Sequence, residues 1–392
     1  MANYDASTII KAAYAQATGA SAIDDLSVKD IIDQGVASGS FQNSREPFTK
    51  ALIEQCARSF FTDASYTNNY EDPFFVDSRR FGSVVQVLSV EAPEAKANPA
   101  WRALTSGSST VGSYTVVLPT INSKIYAKTD SYAIDVTITN EQWDDAIRSE
   151  EELTALVDYI FVSINNAVLQ HKEDYLAMQR ATFIALKLKA QADVSNTGLH
   201  VVELRSAYNA ARGKNITTAA AFLADADAMR WASKTIMLYA DYIKKQSTLF
   251  NVPGKVKFVP DDRLVLEVNT DFERTIEEVA LSDTFHDEMV RMTNYHTVPF
   301  WQAQKDANSV LDFTATTSID VLLDTNDEVS KTGVVAFMAD KYALMHTIRS
   351  ERVASQYFDI DALTLYSFQH RDSYMCNTDL PALVFTLEDA SL

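Results

Sequence analysis

"FVPDDRLVLEVNTDFERTIEE", residues Phe258 to Glu278, runs from a short apolar strand through a polar turn into a helix with acids in its first turn. Many α/β proteins seat a nucleotide phosphate in this order, a glycine-rich turn delivering the anion to the helix N-terminus. No glycine occurs in this stretch. Asn269, Thr270 and Asp271 instead end the strand and cap a helix that begins near Phe272, with Glu273 in its first turn. Capping side chains satisfy the amides that a phosphate would otherwise bind. The stretch is therefore predicted to be a structural connection within a mixed α and β lobe.

Outward from it, other signatures of chemistry are lacking. "GSSTVGS" (107–113) has two glycines but no Lys-Ser or Lys-Thr after them, so it reads as a polar loop tip and not as a P-loop. Neither a dinucleotide fingerprint nor a Gly-x-Ser-x-Gly elbow occurs. His171, His200, His286, His296, His346 and His370 are scattered, and "HDEMV" (286–290) lacks the spacing that sets two histidine ligands on one helix face. Asp225 with Asp227, Asp359 with Asp361, and the run Glu150 to Glu152 are the carboxylate groupings. Paired carboxylates can serve as acid and base, which leaves an acidic hydrolase as the enzymatic alternative. With 53 acidic residues such pairs also arise by chance, and Glu150 to Glu152 suit the first turns of a helix. No catalytic residue, metal or cofactor is expected.

Bulk composition narrows the class further. At 392 residues two or three lobes are expected, and 47% hydrophobic with 22% charged residues is ordinary for a globular chain. The 10 glycines compare with roughly 27 at average usage, so tight ligand-cradling loops are few. A net charge of -19 opposes non-specific nucleic-acid binding, which depends on Lys and Arg displacing counterions. Cys56 and Cys376 form neither a disulfide framework nor a metal pair, which suits a reducing compartment. "MANYDASTIIKAAYAQ" lacks the features of a secretion signal, and no apolar run reaches membrane-span length, so a soluble chain made in a cytoplasm is expected.

Along the chain, residues 1–45 read as an arm with two short amphipathic segments. "SREPFTKALIEQCARSFF" (44–61) reads as a helix with Ser44 as cap and Pro47 in its first turn, and "RRFGSVVQVLSVEA" (79–92) as a strand. From 97 to 138 the chain makes a long β-excursion whose last part alternates, Tyr132, Ile134, Val136 and Ile138 on one face and Asp135, Thr137 and Thr139 on the other. Thr139 and Gln142 form a capping-box pattern, and apolar residues keep helical spacing from Leu153 to about Leu188. Beyond Asn196 the reading is a helix over 219–246, a strand at "KVKFVP" (255–260), the opening unit, a helix at "SDTFHDEMVRM" (282–292) and a strand at "YHTVPFWQA" (295–303). Five strands close the chain: "GVVAFMA", "YALMHTI", "RVASQYFDI", "ALTLYSF" and "ALVFTLE".

This order resembles the major capsid proteins of tailed double-stranded DNA phages, the Johnson-type or HK ninety-seven-like fold. Sequence echoes similar to the capsid proteins of small podophages are "NNYEDPFFVDSRRFGSVVQVLSVEA" (68–92), "DDRLVLEVNTDFERTIEEVA" (261–280) and "GVVAFMADKYALMHTIRSERVASQYFDIDALTLYSFQHRDSY" (333–374). The resemblance implies an α+β fold with an N-terminal arm at 1–45, a first peripheral part at 46–96 and an extended β-loop at 97–138. A spine helix and second peripheral part follow at 139–194, then an axial domain with peripheral strands at 195–370 and a C-terminal peripheral strand at 371–392. It implies a shell of pentamers and hexamers of this chain, a scaffolding protein and a portal protein as partners, and enclosed DNA bound without sequence specificity. No membrane partner is expected; the location is the virion, and the host cytoplasm during assembly. From position, Arg79, Arg80, Trp101, Lys124 and Tyr126 are expected at intersubunit contacts. An encapsulin-like compartment shell is the alternative within the same fold.

Overall fold

In the computed structural model, residues 73–74, 85–90, 121–126, 130–139, 150–280, 295–302, 313–358 and 363–387 are described. β-formers at 85–90 and 121–126 pair antiparallel as β1 (Val85–Val90) and β2 (Ile121–Tyr126), Val90 standing opposite Ile121. Val90 and Ile121 are thus neighbours, whereas 121–126 and 130–138, the last part of the expected excursion at 97–138, lie in paired strands. β3 (Asp130–Thr139) shows the expected alternation: Tyr132, Ile134 and Val136 are half-buried while Ser131, Ala133, Asp135 and Thr137 are exposed. It joins a three-stranded sheet of order β10-β11-β3, with β10 at Leu344–Phe358 and β11 at Leu363–Cys376.

Neither Gly nor Pro occurs in residues 150–192, and the second half, "YLAMQRATFIALKLKAQA", is rich in strong helix formers. These residues form α1 (Glu150–Ala192), 43 residues that extend about 64 Å at 1.5 Å each. The helix is longer at both ends than its apolar spacing indicated. Thr139, expected to cap it, is the last residue of β3, and Gln142 lies outside the described residues.

The second sheet has order β4-β12-β9-β5-β6, with β4 at Val201–Glu203, β5 at Leu264–Asn269, β6 at Tyr295–Val298, β9 at Val334–Asp340 and β12 at Ala382–Thr386. β12 with β4 and β5 with β6 are parallel; β9 is antiparallel to both β5 and β12. Every residue of β5, β9 and β12 is buried, the pattern of strands covered on both faces. Leu264, Leu266 and Val268 pack with α2 (Leu204–Arg212), α3 (Ala219–Leu223), α4 (Ala226–Ile243) and α5 (Thr270–Ala280) in one core. Tyr208, Phe222, Met229, Ile236, Phe272 and Ile276 come from those helices, each side chain contributing roughly 1.5–3 kcal/mol by burial. Glu267, on the alternate face, meets Arg180 of α1, and Phe337 of β9 packs 6.3 Å from Phe183 between ring centroids.

Contacts divide the chain into two compact units. The first holds β3, α1 as far as Ala177, and residues 346–374 of β10 and β11. The second holds 82–128, 178–345 and 375–392, and with them the five-stranded sheet.

Several local expectations are corrected. The single helix over 219–246 is two, because the Asp225 carboxylate accepts from the amides of Asp227 and Ala228 and caps α4 after α3 has ended. "KVKFVP" finds no partner strand beyond one bridge between Ser247 and Lys257. "YALMHTI" and "RVASQYFDI" are one strand, β10, since polar residues without Gly or Pro do not interrupt an extended ladder. An unforeseen short helix, α6 (Phe313–Thr316), precedes an unforeseen hairpin of β7 (Ile319–Asp324) and β8 (Asp327–Lys331). The helices expected at 44–61 and 282–292 lie outside the described residues.

Candidate functional site

The functional element built by these residues is a frame rather than a cleft, and α1 carries its polar joints. Gln179 Nε2 donates to the carbonyls of Met345 and Met375 at 3.2 and 2.8 Å. Arg180 grips buried Glu267 through two bonds of 2.7 Å, the bidentate geometry that makes such pairs strong. Gln191 Oε1 accepts from the amides of His200 and Val201 at 2.8 and 3.1 Å, fixing the entry to β4. These groups tie strand ends that are distant in sequence to one rigid rod.

Two buried bases sit in the same frame. Lys187 donates to the Phe250 carbonyl at 3.2 Å, and its ammonium lies 5.8 Å from the Phe183 ring centroid. Burial pushes it down to about 7, with Asp379 opposing. His200 is fully enclosed, and neither ring nitrogen meets a hydrogen-bond partner among the described residues. Burial, aided by the Lys187 charge, pushes it down to about 4, so at neutral pH it is a neutral imidazole. Gly198 admits that ring: a Cβ there would stand 2.7 Å from Cε1 and Nε2.

The opening stretch is resolved in the same structural sense. Asn269 Oδ1 accepts from the Asp271 amide at 3.0 Å while its Nδ2 donates to the Thr316 carbonyl at 3.0 Å. Thr316 Oγ1 in turn donates to Asp271 Oδ2 at 2.7 Å. The start of α5 is thus tied to α6. Tyr295 donates to Glu273 in the first turn of α5, and burial followed by that carboxylate raises its hydroxyl above the usual phenol range.

In the first unit the joint is aromatic. Tyr132, His171, Tyr175, Tyr374 and His346 form a column with successive centroid separations of 3.7, 4.5, 4.7 and 4.5 Å. It packs α1 on β3, β10 and β11, and uses two of the histidines.

Of the carboxylates weighed for hydrolysis, Asp225 and Asp227 have structural partners. Asp225 caps α4, and Asp227 stands 3.8 Å from Arg230. Glu150 begins α1, whereas Asp359 and Asp361 lie outside the described residues. Among the described residues no group of His, Cys, Asp and Glu could hold a metal, and no helix is long and apolar enough to cross a membrane. Of the expected intersubunit residues, Lys124 pairs with Val87 and Tyr126 with Val85 across β1 and β2. Arg79, Arg80 and Trp101 lie outside the described residues. Sequence reasoning missed the polar joints of α1, whose partners, such as Glu267, are many residues away.

A family model, described as the Phi29-like phage major capsid protein, matches residues 7–386. The chain belongs to that family. A capsid structure of Staphylococcus phage Andhra is similar at TM-score 0.51 and 10% identity, covering 82% of this chain and 84% of that one. A structure of Mycobacterium phage Bobi gives a TM-score of 0.40 at 9% identity, covering 83% and 95%. Curated protein sequences give no match. The Andhra likeness shows the fold, the α+β arrangement of HK ninety-seven-like capsid proteins, as the order of elements implied. This capsid protein builds the shell of a virion from copies of itself. Neither the compartment-shell nor the hydrolase reading is supported.

Proposed function

We propose that this capsid protein assembles as pentamers and hexamers into an icosahedral shell around a scaffolding protein, with a portal protein at one vertex, and that the shell then holds packaged double-stranded DNA. The family match across residues 7–386 carries this reading. Assembly takes place in the host cytoplasm, and no catalytic step belongs to the chain. The net charge of -19 suits a wall that does not adhere to the DNA within.

Residues 1–45 act as an arm and 97–138 as an extended loop, and both lie on neighbouring subunits except at 130–138, which pairs with β11 of its own chain. Residues 46–96, 139–194 and 371–392 supply peripheral parts, α1 among them, and 195–370 the axial part. The pairing of Val90 with Ile121, which brings the two ends of 91–120 together, supports a loop over the first part of that stretch. Arg79, Arg80, Trp101, Lys124 and Tyr126 contribute intersubunit contacts.

Expression of the chain alone and with its neighbouring scaffold gene tests the reading through sedimentation and negative-stain electron microscopy. Closed shells, or rings of five and six, are expected. A persistent monomer under both conditions would overturn it.

A further inference from the structure

Between α2 and α4 lies a recess of about 400 Å³ lined by Tyr208, Arg212, Lys214, Asp227, Arg230, Trp231 and Lys234. Tyr208 and Trp231 meet edge-to-face at 5.5 Å and give it an aromatic floor. The four cations are exposed around one acid. In a chain with 34 basic and 53 acidic residues, this inverts the average surface.

The β7–β8 hairpin carries the complementary pattern. Asp320, Leu322 and Asp324 are exposed on β7, and Glu328 and Ser330 on β8. Leu322 is 65% exposed and directly opposite Glu328, so one apolar side chain stands among three carboxylates. The hairpin is held firmly: Gln302 bonds both the amide and the carbonyl of Asp320, and Lys189 pairs with Asp327 near the turn.

We propose that the β7–β8 hairpin of one subunit docks into the α2–α4 recess of an adjacent copy, Leu322 resting on the Tyr208–Trp231 floor and Asp320, Asp324 and Glu328 facing Arg212, Lys214, Arg230 and Lys234. This rests on the capsid reading above. Both halves are on the same chain, so the contact is head-to-tail, the kind that closes rings. Nucleic acid is the weaker occupant of the recess, because the chain's net charge repels it. Opposed charge speeds encounter and fixes register, while the apolar anchor supplies buried area.

The test uses the full chain with its scaffold partner. The variants are Lys214→Glu with Lys234→Glu, Asp320→Lys with Glu328→Lys, all four together, and Leu322→Ser alone. Light scattering and sedimentation give the concentration at which particles form, and near-ultraviolet circular dichroism reports the fold of the monomers. Each charge-reversed pair is expected to raise that concentration at least ~10-fold. The fourfold variant should return it to within about threefold of the wild type, because reversed recess meets reversed hairpin. Leu322→Ser, which leaves every charge in place, should also weaken assembly. Wild-type assembly of the recess variant overturns the docking and leaves the capsid reading intact. Binding of duplex DNA by wild-type monomers that the recess variant loses assigns the recess to nucleic acid and likewise overturns the docking. A wild-type chain that never assembles overturns both readings.

Discussion

Arg180 and Glu267 show how a single residue holds this fold. The guanidinium reaches the carboxylate through two 2.7 Å bonds, and the Glu267 side chain has no exposed surface. Removing one partner strands a buried charge, so Arg180→Met is expected to cost the unassembled chain about 3–5 kcal/mol. Urea unfolding checks this, and a loss under about 1 kcal/mol would contradict it. Lys187 and His200 give a pH dependence. Both pKa values are lowered on folding, from 10.5 to about 7 and from 6.5 to about 4. In each window the unfolded chain binds more protons than the native one, so stability rises with pH from 4 to 6.5 through His200 and from 7 to 10.5 through Lys187. Each window carries at most a few kcal/mol, at roughly 1.4 kcal/mol per pKa unit. Lys187→Met should flatten the upper window and raise the pKa of His200; an unchanged slope of urea stability between about pH 7.5 and pH 10 would count against this.

At the scale of elements, legibility followed locality. α1 was readable because no Gly or Pro interrupts its helical apolar spacing, and β3 because its alternation is strict. The α3–α4 break was missed because Ala-rich text on both sides hides a cap at Asp225, whose preference shows only once its carboxylate reaches the Asp227 and Ala228 amides. Asp225→Ala should therefore cost about 0.5–2 kcal/mol, measured by thermal or urea unfolding. A neutral result would mean that packing of α4 alone sets its start. The β7–β8 hairpin did leave a signal, Ile319, Val321 and Leu323 alternating with Asp320, Leu322 and Asp324 before a Thr-Asn turn, but Leu322 blurs the polar face. "KVKFVP" has strand-like text but, among the described residues, pairs through only one bridge, between Lys257 and Ser247, so propensity alone misled.

For the whole molecule, the resemblance to phage capsid proteins was legible, and the family model supports it over residues 7–386. The buried polar joints were not, because Glu267 within "LVLEVN" gives no local hint that Arg180, 87 positions earlier, will neutralise it. The basic recess was hidden for a related reason: Arg212 ends one helix and Lys214 follows it, while Arg230 and Lys234 belong to another. The intersubunit contacts proposed at Arg79, Arg80, Trp101, Lys124 and Tyr126 are not tested by a single chain. The chain's central property is assembly, and particle mass reports it most directly. Charge-detection mass spectrometry of particles formed with the scaffold should give one discrete mass corresponding to a closed icosahedral set of this chain. A monomer mass, or a continuous spread from open-ended polymers, would contradict the account.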